Sequence, residues 1–84
     1  MIKYKSTKEL KTESLKLIDA EFCRAIEKHG PMKSAHEGYA VILEEMDELW
    51  GEIKKKEQNP KLIKKETLQI GAMVLRFLVD CCKL

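Results

Sequence analysis

Two breaks, Gly30–Pro31 and Asn59–Pro60, cut the chain into three segments, and the middle one constrains the fold most. Residues 34–53 read SAHEGYAVILEEMDELWGEI. At about 100° per residue, Tyr39, Ile42, Leu43, Met46, Leu49, Trp50 and Ile53 fall on one apolar stripe. Strand-like alternation is absent. Ser34 stands three residues before Glu37, the spacing of a capping box, in which a hydroxyl and a carboxylate each satisfy a free backbone N–H. Pro31 prevents a helix from running in from the preceding segment. The pattern predicts a helix over 35–57.

The outer segments read the same way. Ser6 with Glu9 offers another capping box, opening a helix over 6–28 whose apolar face carries Leu15, Ile18, Phe22, Ala25 and Ile26. Gly30 is a natural stop. Asn59 suits an N-cap and Pro60 the first helical position, so a third helix is expected over 60–82. The expectation is an all-α single domain spanning 1–84, its last two helices an antiparallel hairpin. Within the third helix, Ile70–Val79 is apolar nearly all round, which demands burial on more than one side. A chain of 84 residues buries only roughly 60–65% of its unfolded surface. The spare apolar area therefore predicts a helical bundle completed by self-association, as a homodimer or homotetramer.

Composition narrows the function classes. A charged fraction of 36% beside 44% hydrophobic residues suits water-exposed amphipathic helices, and a net charge of +2 is too small to argue for nucleic acid. The opening MIKYKSTKEL lacks the apolar core of a secretory leader. The run from Ile70 to Leu75 is far too short to span a bilayer. Cys23, Cys81 and Cys82 form an odd set without metal-type spacing, which reads as apolar filler in a reducing compartment. A cytoplasmic protein without membrane attachment is expected.

The candidate chemistry lies on a second stripe of the middle helix. Glu45, Glu48 and Glu52 run beside the apolar face, with Glu44 and Asp47 at its margins, and no lysine follows before Lys54. Like charges at such spacings destabilise a helix by a few tenths of a kcal/mol per pair. A solvated acidic face is one reading. Against it, Glu45 lies beside Leu49 at the edge of the apolar stripe. A half-buried carboxylate pair without a basic partner is costly unless a metal ion neutralises it. Counting outward from the turn sets a register. Glu48 is ten residues before Gln58 and Gln69 ten after Asn59, each about 15 Å along its helix, while Glu52 matches Glu66. The pairs Glu45/Glu48 and Glu66/Gln69 then face each other as a pocket of oxygens.

EEMDE (44–48), a 17-residue spacer and ETLQ (66–69) resemble the EExxE…ExxD signature of the MazG-like all-α nucleoside triphosphate pyrophosphohydrolases. The surrounding HGPMKSAHEGYAVILEE and KKETLQIGAMVLRF are similar to small phage and bacterial MazG-like proteins, over roughly Phe22 to Asp80. The resemblance implies an oligomeric helical fold that binds Mg²⁺, with Mn²⁺ as an alternative, and cleaves a nucleoside triphosphate to monophosphate and pyrophosphate. Carried over by position, Glu45, Glu48 and Glu66 would be metal ligands, and Glu44 a ligand or the group that orients the water. Gln69 stands where the pattern has Asp, offering an amide oxygen without charge. An alternative is a helical module that binds nucleotides or proteins without turnover. Lys33, Lys64, Lys65 and Arg76 are candidates for phosphate contact. His36 reads as a capping or loop residue, or as a nucleotide contact from a neighbouring subunit. Phe22, Tyr39 and Trp50 read as core or interface residues rather than a stacking platform.

Overall fold

The computed structural model describes residues 4–83. Its elements are helices α1 (Thr7–His29), α2 (Ala35–Ile53) and α3 (Pro60–Phe77), and a π-helical turn over Leu78–Cys82; the described residues contain no strand. The caps start these helices where the sequence places them. The Glu9 N–H donates to Ser6 Oγ at 3.1 Å, and the Ser6 N–H donates to the Glu9 carboxylate at 3.2 Å, closing the box at α1. At α2 the Glu37 N–H donates to Ser34 Oγ at 3.1 Å. The Glu37 carboxylate reaches one residue further back than a box requires and accepts from Lys33 N–H at 3.1 Å. At α3 the Lys61 N–H donates to Asn59 Oδ1 at 3.0 Å, with Pro60 in the first position.

Two ends differ from expectation. α2 stops at Ile53 instead of 57, because the Gln58 side-chain amide donates to the Ile53 carbonyl at 2.9 Å and caps the helix early. Beyond that stop Lys55 swings back onto Glu52 at 3.0 Å. The third helix reaches Cys82, but its last five residues widen to π geometry. There Asp80 Oδ2 accepts from Met32 N–H at 2.8 Å and the Cys81 thiol lies 3.5 Å from the Ser34 carbonyl, tying the widened turn to the connection before α2.

α3 is the central element, packed against both α1 and α2. The core joins Ala25, Met32, Ala72 and Met73, flanked by Phe22, Val41, Ile42 and Phe77. Gly38 lets α2 approach closely, since a Cβ there would lie 2.6 Å from the Phe77 ring. Gly30 ends α1 at φ +70°, a conformation that side chains disfavour, and its N–H donates to the Ile26 carbonyl at 2.8 Å.

The apolar stripe of α2 splits in this packing. Ile42 and Leu49 are half-buried, whereas Tyr39 and Trp50 remain 65% and 59% exposed, with Leu43, Met46 and Ile53 exposed beside them. Tyr39 and Trp50 are thus not core residues of a single chain. On the α3 side Val74, Leu78 and Val79 are exposed as well. No helix among the described residues is long and apolar enough to cross a membrane.

Candidate functional site

Glu45 and Glu48 lie one turn apart on α2, and the packing of α2 against α3 brings Glu66 to them. One carboxylate oxygen from each of the three lies within 4.8 Å of the others. Glu45 and Glu66 are half-buried and Glu48 is exposed. Burial pushes the Glu45 carboxyl up from 4.5 to about 7, helped by the charge of Glu48, by hydrogen bonding to it, and then by Glu66 and Glu44. The Glu66 carboxyl is also raised, first by burial, then by hydrogen bonding to Glu48 and its charge, with Lys65 opposing. Glu48 is therefore the common neighbour of both.

Glu45 Oε2 and Glu66 Oε2 are buried without a hydrogen-bond partner. The ion pairs among the described residues are Lys5–Glu13, Arg24–Glu21 and Lys55–Glu52, so none of them directly engages the trio. Two orphaned buried oxygens and a donor set made only of carboxylates fit a hard divalent cation such as Mg²⁺ or Mn²⁺.

Beside the trio is a cleft of about 630 Å³. α2 contributes Glu37, Glu44 and Glu45, α1 contributes Glu21, Arg24, Lys28 and His29, and α3 contributes Gln69, Met73 and Arg76. Glu45 thus belongs both to the trio and to the cleft wall. Gln69 lines the cleft too, but its amide nitrogen is committed elsewhere, donating to Glu21 Oε2 at 2.8 Å. Arg24 holds the other oxygen of Glu21. A carboxylate on α1 is thereby fixed against the helix that carries the Glu66–Gln69 motif.

The basic candidates separate clearly. Lys33, Lys64 and Lys65 are exposed and line no part of the cleft, while Arg76 lines it and is only 4% exposed. Arg76 donates from Nη2 to the Gly30 carbonyl at 2.7 Å and from Nη1 to the Met73 sulfur at 3.3 Å. His36 is exposed outside the cleft, and the histidine lining it is His29. Phe22 packs against the core. The α1 contribution of Glu21, Arg24 and Lys28 escapes the sequence reading. Its one local sign is the 3,4 spacing of these charges bordering Ala25. No family model, curated protein or solved structure matches the chain.

Proposed function

We propose that this protein is a metal-dependent nucleoside triphosphate pyrophosphohydrolase of house-cleaning type, the activity that its resemblance to the MazG-like enzymes implies. The observation that carries the reading is the convergence of Glu45, Glu48 and Glu66, two of them with a buried oxygen lacking any partner, at the edge of a cleft. These three carboxylates would hold Mg²⁺ or Mn²⁺, which when bound neutralises phosphate charge. The chain's own residues supply the remaining work. Glu44 adjoins Glu45 and lines the cleft, so its carboxylate would accept the proton of an attacking water. Gln69 and Arg24 hold the Glu21 carboxylate on the cleft wall.

The same reading includes an antiparallel α2–α3 hairpin and a second copy that completes the bundle. Tyr39, Leu43, Met46, Trp50 and Ile53, exposed at spacings of 4, 3, 4 and 3, support a helix-to-helix seam in a homodimer or dimer of dimers.

The test is pyrophosphate release from a panel of canonical and modified nucleoside triphosphates, with and without Mg²⁺. Release should require the metal and should be lost in Glu45→Gln, Glu48→Gln and Glu66→Gln alike, while the far-ultraviolet circular dichroism stays helical. Wild-type turnover in Glu48→Gln would refute the site. A second reading, a nucleotide-binding or protein-interaction module without turnover, is favoured by the neutral Gln69 in place of an acid. Mg²⁺-dependent nucleotide binding without pyrophosphate release would select it.

A further inference from the structure

Arg76 carries a charge that no carboxylate among the described residues pairs with. Its side chain is 4% exposed, yet no carboxylate lies within salt-bridge distance of it among the described residues. A guanidinium has five N–H donors. Here one meets the Gly30 carbonyl, one meets the weakly accepting Met73 sulfur, and the buried Nε–H meets no acceptor. A buried cation in that state is costly, and the cost is relieved when an anion arrives.

The cleft that Arg76 lines is bipolar. On the α2 wall are Glu37, Glu44 and Glu45. The facing α1 and α3 residues are Arg24, Lys28 and Arg76, with Glu21 already engaged by Arg24 and Gln69. Lys28, like Arg76, has no carboxylate partner among the described residues. Along α3, Glu66, Gln69, Met73 and Arg76 recur at spacings of 3, 4 and 3 and so share one face. The Arg76 head leans back to Met73, which stands seven residues, roughly 10 Å, beyond Glu66. That separation suits an extended polyanion better than a single small ion.

We infer that the Arg76–Lys28 side of the cleft is an anion subsite, which takes the phosphate group of a polyphosphate that lies farthest from the carboxylate trio. The inference rests on the proposed function only for what occupies the other end. The guanidinium supplies the directional, multiply hydrogen-bonded contact, and Lys28 adds charge at the mouth.

The experiment is titration calorimetry of the intact protein with tripolyphosphate, in EDTA and again with Mg²⁺, at constant ionic strength. In EDTA the wild type should bind saturably, Arg76→Gln should lose binding, and Lys28→Glu should weaken it at least tenfold. Lys28 is exposed and outside the core, so its variant decides the matter if Arg76→Gln does not fold. Substituting Lys64 and Lys65 together by Gln should leave the affinity unchanged. The subsite is overturned if the wild type shows no saturable binding, if Lys28→Glu binds like wild type, or if the Lys64/Lys65 variant is the one that loses binding. If Mg²⁺ leaves the affinity unaltered while Lys28→Glu still weakens binding in EDTA, the anion subsite stands and the metal-dependent reading of the trio falls.

Discussion

Replacing Glu45 by Gln should stabilise the metal-free protein, increasingly so as pH rises. The folded chain holds a proton at Glu45 up to about 7, whereas the unfolded chain releases it near 4.5. Stability from this group is therefore fully present below 4.5 and lost as pH rises through about 7. At about 1.36 kcal/mol per pK unit the gap sets a ceiling of roughly 3 kcal/mol. Water reaches the rim of this half-buried site, which lowers the expected penalty at pH 8 to about 1–2 kcal/mol. Glu66, raised in the same direction, adds to it. A glutamine keeps the shape, removes the charge and donates to Glu48. For a domain of this size about 1 kcal/mol moves Tm by roughly 4–8 °C. Thermal unfolding in EDTA at pH 5, 6, 7 and 8 should show Glu45→Gln near wild type at pH 5 and about 5–10 °C above it at pH 8. Adding Mg²⁺ at pH 8 should raise the wild type and leave the mutant nearly unmoved. Parallel curves across the pH range, or a mutant less stable than wild type at pH 8, would refute the reasoning.

The remaining expectations concern packing and assembly. Gly38→Ala should destabilise by about 1–3 kcal/mol in urea unfolding, because its Cβ would sit 2.6 Å from the Phe77 ring and 3.0 Å from the Met32 sulfur. Gly71→Ala should cost less, about 1 kcal/mol, since the Cβ would meet Ile18 Cδ1 and Cγ1 at 3.0 Å and Cγ2 at 3.3 Å, a crowding that a shift of a few tenths of an ångström relieves, and the helix gains propensity. Asp80→Ala leaves the half-buried Met32 N–H without its 2.8 Å acceptor and should cost about 1–3 kcal/mol by the same assay. Gln69→Asp removes the donor to Glu21 and sets two acids together, so it should lower the metal-free Tm at pH 8, and an unchanged Tm would show that the Gln69–Glu21 contact contributes nothing. Light scattering at micromolar concentration should give a dimer or larger, with Trp50→Glu shifting the mass toward the monomer; a wild-type monomer removes the seam.

Local sequence determined where the helices begin. Ser6, Ser34 and Asn59 each satisfy a backbone N–H two or three residues on, so the instruction and its effect lie within one turn. The acidic trio was legible for a related reason. Two of its members share a helix at i,i+3, and counting outward from the break at 58–60 leads to Glu66, which the structure brings to them. The early stop at Ile53 was harder to see, since it depends on Gln58 folding back onto a carbonyl that lysines could equally have left to water.

What only the tertiary structure decided is which side of each helix is covered and what the polar groups then meet. Periodicity groups Tyr39 and Trp50 with Ile42 and Leu49, but α3 covers only one flank of that stripe, and the two aromatics stay outside. Gln69 reads as a fourth oxygen for the trio until α1 presents Glu21 to its amide. Arg76 reads as one basic residue among several until α3 is packed and the guanidinium closes over Gly30. The contacts Gln69–Glu21, Arg76–Gly30 and Asp80–Met32 each join residues 46 to 48 positions apart. No helical period or cap reaches that far. These partners meet because burying Ala25, Met32, Ala72 and Met73 fixes how the helices lie against one another, and the cleft takes its charges from that placement.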